Sequence, residues 1–555
     1  MKTAEISMRA SNALLKLKTG TRMTIPYVRI FTTATGWVLA CFLFLNMLSD
    51  WEKALRYPAP HQYGEGILVW MTREIDHGKW PYGDILGTPS RYSCYAPLVP
   101  TLSAAVSRFV PSISEDDSSS EKNPGSAYVY AGRLVNYTNW VLAAALVGIA
   151  TTATPLSRVA VGLMFLSALS LHSFFSTLRV DSTVLACQGL VLFILTRGDP
   201  RRWWFSIPLS VTLLTLTKPP AVLDIAPIAL LSLALRNTKP KDFAKMVWKP
   251  ALYAIIIAPA TFFLLDIMSG TWMSNNILTE QLGSGSMSPE DFSHVLRETV
   301  LPRQMWPALF WATLSIGAFV PSGRLKLASI ALSLLLCTAL ATKHGADANY
   351  YFPLIMVICA TAGSYLRLAP SHATFVIAAA TILALPFDSS VQHRQTERQK
   401  ADVTYRVEAL KTIHDQNNFL TEDPFFSVLA GRDPLTTDIF QLTISAARSE
   451  KNTRYLTDVA SGAWGGRRLR ALLARGTEFS LEETAVPMPA GHAYDAVWVK
   501  EISRFPPAHS PMKTSWQNIR DGYLKKGLIP AVFLLLLSLA PTRCYARPRL
   551  DRQQF

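Results

Sequence analysis

The stretch YPAPHQYGEGILVWMTREIDHGKWPYGDILGTPSRYSCYAPL, residues 57–98, is a long polar loop directly after the first apolar segment of the chain. It carries carboxylates, an amphipathic stretch and an exit rich in Tyr and Pro, and one apolar segment after another follows it. Connections between helices are usually short, and long ones commonly carry function. The loop therefore predicts a functional site at a membrane surface rather than a simple link.

The composition indicates a membrane protein. Of 555 residues, 50% are hydrophobic and only 17% are charged, whereas soluble domains average about 25% charged residues. The apolar residues fall in blocks of roughly 16 to 24, about the length that crosses a hydrocarbon core. We therefore expect an all-α polytopic membrane protein, whose first apolar block is a retained anchor and not a cleaved signal.

Charge sets the expected topology, because cytoplasmic loops carry an excess of Lys and Arg. Basic residues cluster in the N-terminal tail, at 197–202, at 236–249 and after 541. All of these reach the cytoplasm if the apolar block 94–110 is a surface helix and not a span. The remaining blocks then give about twelve spans with both termini inside: 26–48, 127–150, 156–176, 182–197, 203–217, 221–235, 250–268, 304–320, 325–342, 350–369, 371–386 and 524–541.

The same distribution explains the net charge of +15, so we expect membrane lipids and no nucleic acid as partners. The six cysteines form no disulfide framework, since most lie inside apolar blocks. We find no zinc spacing, no phosphate-binding GxxxxGK[ST] sequence and no dinucleotide-binding fingerprint.

Glu65 is the first candidate site residue. It directly precedes Ile67, Leu68, Met71 and Ile75, which fall on one side of a helix and predict an interfacial helix lying flat on the membrane. At the N-terminus of that helix the dipole favours an ionised carboxylate. Glu65 is then either a helix cap or a general base, and the spacing leaves both open.

Other ionisable residues gather on the predicted outer face. Arg179 and Asp181 lie at a span boundary, as a structural ion pair or as part of a site. Lys218 precedes two prolines and is either part of a site or a lysine that extends its ammonium to the membrane surface. His344 and Tyr350 lie in a later loop, where the tyrosine also fits an aromatic belt. Together they suit a reaction in which a hydroxyl loses its proton while a phosphate leaves.

At these residues the chain resembles the GT-C superfamily of integral membrane glycosyltransferases, in the bacterial branch related to protein O-mannosyltransferases and aminoarabinose transferases. The resemblance spans roughly residues 26–390 in layout, and no single motif is diagnostic. Its motifs are Tyr63-Gly-Glu-Gly66, Gly78-Lys-Trp-Pro-Tyr-Gly-Asp84, Tyr92-Ser-Cys-Tyr-Ala-Pro-Leu98, Arg179-Val-Asp181 and Leu216-Thr-Lys-Pro-Pro220.

The resemblance implies a GT-C-like bundle of about twelve transmembrane helices with a large first periplasmic loop. It also implies an inverting transfer of a sugar from a polyprenyl-phosphate donor to a hydroxyl of a lipid, glycan or protein, on the periplasmic side of the bacterial inner membrane. The family's first-loop acid maps onto Glu65 as general base. The residues expected to bind substrate are Arg179, Asp181, Lys218, His344, Tyr82, Tyr95 and Tyr350.

Two further points follow from the resemblance. Many relatives carry an Asp-Glu pair where this chain has Gly64 before Glu65, so Glu74, Asp76 and Asp84 remain alternative bases. Some relatives hold a divalent metal between the first-loop and second-loop acids, and Glu65 with Asp181 are the residues that would hold Mg or Mn here. No spacing in the chain requires that metal.

We divide the chain into a catalytic transmembrane module (1–386, with its first outer loop at 49–126), a small α/β extracytoplasmic domain (387–523) and a final span with a basic cytoplasmic tail (524–555). The middle region combines a charged helical run with short strand-like pieces.

Two other functions compete with a transferase. A transporter or flippase of lipid-linked glycans predicts internal repeats and charges near the middle of the membrane, which the sequence does not show. A non-catalytic envelope assembly factor would act through its outer domain alone.

Overall fold

The structure is a computed structural model. It describes residues 2–57, 64–85, 91–110, 125–170, 177–280, 323–342, 348–367, 369–384, 410, 419–421, 424–434, 436–437, 463–464, 467–468 and 471–473.

The described part of the chain is mostly helical. In chain order its main helices are α1 (Lys2–Leu55), α2 (Glu65–Asp76), α3 (Leu98–Ser107), α4 (Ser126–Thr151), α5 (Pro155–Ser170), α6 (Asp181–Arg197), α7 (Trp203–Thr215), α8 (Ile225–Arg236), α9 (Pro240–Met268), α10 (Gly323–Ala341), α11 (Phe352–Leu366), α12 (Ala373–Ala384) and α13 (Phe425–Leu429). A 3-10 turn, Pro219–Asp224, leads directly into α8. These helices follow the predicted apolar blocks closely.

The chain is a multi-pass membrane protein. Within the described residues, the helical stretches long and apolar enough to cross a membrane are Ile30–Leu55, Ser126–Thr151, Pro219–Arg236, Pro240–Met268 and Gly323–Ala341. Helix α3, in the block expected to lie on the surface, has 10 residues, about 15 Å, too short to cross a core of about 30 Å. The count of twelve spans stays a prediction, because blocks 304–320 and 524–541 lie outside the described residues.

The bundle is held together by one large apolar core. Trp140 of α4, Phe165 of α5 and Leu192 of α6 are each fully buried in it, and residues of α11 and α12 complete it. Helices α4 and α6 lie closest together, and α4 also packs on α5 and α3. Helix α4 therefore connects the membrane core to the outer loop above it.

Helix α2 begins at Glu65 and ends at Asp76, close to the stretch that its apolar spacing predicts. The expectation that it lies flat on the membrane is wrong. Its consecutive residues Ile67, Leu68, Val69, Trp70 and Met71 are all 2% exposed or less. A helix resting on a membrane keeps a polar face in water, whereas this one is enclosed by protein on every side.

A second apolar cluster encloses α2. It joins α2 to Tyr82, Val99 and Leu178, and to the aromatic helix α13 from the C-terminal half of the chain. Val428 of α13 lies so close to Gly125 that a Cβ at that position would overlap its backbone. The first outer loop is thus packed between the bundle and residues 424–437.

Short strands lie beyond residue 410. Phe419–Thr421 pairs in parallel with Ala471–Leu473, and Ala463–Trp464 pairs antiparallel with Arg467–Arg468. The predicted α/β domain and the three-part division of the chain stay predictions, because most of residues 387–523 and all of 524–555 lie outside the described part.

Candidate active site

The carboxylate of Glu65 is fully buried and paired with Arg133 of α4. Arg133 donates from Nε to Oε1 at 2.8 Å and from Nη2 to Oε2 at 3.2 Å, and both side chains are 0% exposed. The backbone N–H of Leu178 also donates to Oε1, at 3.3 Å. A bidentate guanidinium–carboxylate pair is among the strongest polar contacts in proteins, so Glu65 is fixed firmly at the start of α2.

Arg133 does more than pair with Glu65. Its Nη1 donates to the carbonyl oxygens of Ala54, Leu55 and Tyr57, at 3.1, 3.3 and 2.6 Å. The carbonyls of Ala54 and Leu55 lie in the last turn of α1, and that of Tyr57 lies two residues beyond its end. One buried guanidinium thus joins the end of α1, the start of α2 and the middle of α4.

Gly64 occupies a tight position between two predicted site residues. Its φ of +91° is one that L side chains rarely adopt. A Cβ added there would lie 2.7 Å from Tyr95 Oη and 3.1 Å from Arg179 Nη1. The glycine therefore lets the backbone approach both side chains, and it links the first loop to the Arg179–Asp181 segment.

Tyr82 and Tyr95 are both placed beside this junction. Tyr82 is buried, and its hydroxyl donates to the carbonyl oxygen of Tyr95 at 2.9 Å. Burial raises the pKa of Tyr82 well above its usual value, so the phenol stays protonated and acts as a donor. The Arg179 guanidinium lies over the Tyr95 ring, 5.8 Å from its centroid.

Asp181 is the centre of a second polar cluster. Lys218 Nζ donates to its Oδ1 at 3.2 Å, and Asn349 Nδ2 donates to both carboxylate oxygens at 3.0 Å. Arg179 is more distant, with Nε 3.7 Å from Oδ2. The Lys218 ammonium also lies 4.1 Å from the centroid of the Tyr350 ring, within range of a cation–π contact.

The two ionisable groups stabilise each other's charge. Burial acts to raise the pKa of Asp181, but the charges of Lys218 and Arg179 outweigh it and hold that pKa below its usual value. Burial acts to lower the pKa of Lys218, but Asp181 and Tyr350 raise it overall. Both groups are therefore ionised near neutral pH, and Asp181 acts here as an acceptor that orients Lys218 and Asn349.

This cluster lines a small pocket that is partly open to solvent. Its wall includes Asp181, Lys218, Asn349, Tyr350 and Asp224. The pocket lies where α6, the Pro219–Asp224 turn and the segment before α11 meet. It therefore combines a cation, an aromatic ring and several polar oxygens.

Asp224 was not singled out from the sequence. It is 3% exposed, and its Oδ2 accepts a hydrogen bond from Gln188 Nε2 of α6 at 2.9 Å. Within the described residues its Oδ1 has no hydrogen-bond donor, and neither does Asn349 Oδ1. Both oxygens belong to residues that line the pocket.

The alternative bases are held by protein donors. Glu74 Oε2 accepts from Arg91 at 3.1 Å. Asp76 accepts from Arg108 at 2.9 Å and from Tyr128 at 3.0 Å. Asp84 also has a partner. The carboxylates of Glu74 and Asp76 therefore stabilise the first loop.

The predicted metal pair is engaged by nitrogen donors in the described conformation. Glu65 pairs with the Arg133 guanidinium, and Asp181 with Lys218 and Asn349, so a metal between these carboxylates stays a prediction. No cluster of three or more His, Cys, Asp or Glu side chains suited to a metal occurs in the described part of the chain. We therefore assign no step to a metal.

The structure brings most of the predicted residues together in two adjoining groups. Glu65 contacts Leu178, three residues before Asp181, while Lys218 and Tyr350 surround Asp181 from the other side. His344 lies outside the described residues. Sequence reasoning missed Arg133, although an arginine inside an apolar helix is costly and rarely without a role.

Two solved structures are similar to the chain in fold. They are ArnT from Cupriavidus metallidurans bound to undecaprenyl phosphate (13% identity, TM-score 0.54) and the same protein in the apo state (15% identity, TM-score 0.53). Each match covers 79% of this chain and 93% of the other. No family model matches the sequence, and no curated protein is similar to it. The chain therefore shares its fold with these two structures over most of its length, and membership of the GT-C superfamily stays a prediction.

Proposed function

We propose that this protein is a membrane glycosyltransferase that moves a sugar from a polyprenyl-phosphate donor to the hydroxyl of an acceptor. One observation carries the proposal: Lys218 is held at the wall of a pocket by Asp181, a carboxylate that Asn349 also bonds, in a fold shared with a protein that binds undecaprenyl phosphate. A buried and oriented ammonium is suited to a phosphate group, because preorganised charge stabilises a developing anion.

The reaction forms one bond and breaks one. The acceptor oxygen bonds to the anomeric carbon of the sugar while the bond from that carbon to the phosphate oxygen breaks. The phosphate leaves with an additional negative charge, which Lys218 and Arg179 stabilise. The acceptor proton passes to a carboxylate. Attack from the face opposite the phosphate inverts the anomeric configuration.

Glu65, the predicted base, can act as a base only if Arg133 releases it. In the described conformation both its oxygens accept from Arg133, so it accepts a proton only after Arg133 has released one of them. The alternative is that Glu65 is a structural residue that fixes Gly64 and Leu178 beside Arg179. The base assignment therefore stays a prediction, separate from the proposed reaction.

The orientation is part of the proposal. Basic residues around 197–202 and 236–249 favour the cytoplasm, which directs the Asp181–Lys218 ends of their helices to the opposite side. A site on that side of the inner membrane has no access to nucleotide sugars, so a lipid-anchored donor supplies the sugar. The acceptor class is a lipid, a glycan or a protein.

The test uses purified full-length protein in lipid nanodiscs with undecaprenyl-phosphate-linked radiolabelled sugars and an outer-membrane lipid extract as acceptor. Label should move from the polyprenyl lipid to acceptor, and Lys218→Met should slow this by at least about tenfold. Exposed Lys245→Met serves as the matched control. Label that crosses the bilayer still attached to its polyprenyl lipid would instead support a flippase.

Glu65→Gln separates the two roles of that residue. A general base contributes about 10²–10⁴-fold to rate, so a base variant should lose activity by that factor at temperatures where it stays folded. A folded variant that keeps its activity indicates the structural role.

A further inference from the structure

The pocket that contains Lys218 is also lined by two residues of different chemistry. Asp224 and Asn349 each have one buried oxygen that has no donor among the described residues. Buried acceptors without donors cost free energy and are rare in folded proteins. Their presence in a pocket wall indicates that a bound molecule supplies the missing donors.

The geometry excludes a phosphate as the molecule at this part of the pocket. A phosphate oxygen is an acceptor at neutral pH and is repelled by a carboxylate. A hydroxyl or an ammonium group donates and therefore fits Asp224 Oδ1 and Asn349 Oδ1. Lys218, which lies above the Tyr350 ring, has the opposite preference and binds acceptors.

Gln188 holds the carboxylate of Asp224 in place. Its Nε2 donates to Oδ2 at 2.9 Å, which leaves Oδ1 as the acceptor that remains. Asn349 is fixed in a similar way, because its Nδ2 is occupied by Asp181. The remaining oxygens are thus fixed by neighbouring side chains, as in a preorganised binding site.

We propose that Asp224 and Asn349 form the part of the pocket that binds the transferred sugar, through hydroxyl or ammonium donors on that sugar. This inference rests on the proposed function, and it adds that function's specificity-determining residues. Lys218 binds the phosphate of the donor lipid, while Asp224 distinguishes a lipid with a sugar from the bare lipid phosphate.

The experiment compares the binding of three lipids to the full chain in nanodiscs: undecaprenyl phosphate, undecaprenyl-phosphate arabinose, and the corresponding aminoarabinose lipid. Wild type should bind at least one sugar lipid about tenfold or more tightly than the bare phosphate, since a hydrogen bond to a charged group changes affinity by about that factor. Asp224→Leu should remove this preference.

A second variant serves in case Asp224→Leu fails to fold, and it also identifies the donor group on the sugar. Asp224→Asn keeps the shape and the bond from Gln188 but presents an amide N–H₂ to the pocket. The preference should be kept in part for a hydroxyl sugar, which can still accept, and be lost for an ammonium sugar, which cannot. Ser232→Ala, a buried position on α8 whose hydroxyl bonds the carbonyl oxygen of Ile228, is the matched control.

The outcomes are distinct. If wild type binds no lipid phosphate, the proposed function fails and this inference fails with it. If wild type binds all three lipids equally, or the folded variants at position 224 keep the wild-type preference, the proposed function stands and the inference is overturned.

Discussion

Replacement of Arg133 by Met is the most informative test of how the first loop is held. The variant removes two hydrogen bonds to Glu65 and three to carbonyl oxygens at and just beyond the end of α1. It also leaves a fully buried carboxylate without its counter-charge. Loss of one partner of a buried ion pair costs about 3–5 kcal/mol.

That free energy corresponds to a measurable change in melting temperature. An unfolding entropy of about 2.1 cal/mol/K per residue, over 555 residues, gives about 1.2 kcal/mol/K. Arg133→Met should therefore melt roughly 3–4 °C below wild type. The assay measures thermal unfolding of the detergent-solubilised protein, and size-exclusion chromatography is the readout. The control is Arg158→Met, at an exposed position.

The double variant Arg133→Met/Glu65→Gln provides the decisive comparison. With both charges gone, no unpaired ion is buried, so the double variant should be more stable than Arg133→Met alone by about 1–3 kcal/mol. Two results would refute the ion-pair reasoning. One is that the stability losses of the two single variants simply add in the double variant, and the other is that Arg133→Met melts within about 1 °C of wild type.

Three further predictions concern other parts of the site. Gly64→Ala should reduce activity and stability, since it adds both backbone strain at φ +91° and a clash with Tyr95 Oη. The control is Gly78→Ala, at φ +72° with open space around its Cβ, which should show only the strain. Equal effects in the two variants would contradict the role of the clash. Asp181 has a lowered pKa, so its stabilisation is complete above its unfolded value of about 3.9 and is lost as the pH falls through its lower folded value. Lys218 has a raised pKa, so the stability that it contributes is complete below about pH 10.4 and is lost at higher pH. The melting temperatures of wild type and Lys218→Met, measured from pH 3 to 11, should therefore differ most between about pH 3.9 and pH 10.4. Thr437→Val should increase protease cleavage of the first loop, because the Thr437 hydroxyl bonds both the N–H and the C=O of one loop residue, and unchanged cleavage would show that this bond does not hold the loop.

The sequence predicts the membrane helices well, because a run of apolar residues of span length has few other stable environments. Helix α2 was located correctly from its spacing but placed in the wrong environment. Its period identifies one apolar face, and the residues that bury the other face come from 424–437, far along the chain. A local pattern contains no information about such a distant partner.

The candidate site was predicted in part. Arg179, Asp181 and Lys218 were recognised as charges at the ends of apolar blocks, where burial is expensive and a partner is needed. Arg133 and Asp224 were missed, although the same argument applies to a charge in or near an apolar run. Asp181 pairs more closely with Lys218 than with Arg179. This preference depends on how the helices pack, which a single sequence does not reveal.

The contacts of residues 424–437 with the first loop have a consequence for biogenesis. Arg73 pairs with Asp433 at 3.0 Å, Tyr92 bonds Thr437, and α13 covers α2, across separations of 345 residues or more. As the ribosome releases the chain, the first loop is made long before residues 424–437 have been translated. The loop therefore waits, incompletely enclosed, until the C-terminal half has been made and packs against it, and maturation of the site is a late event.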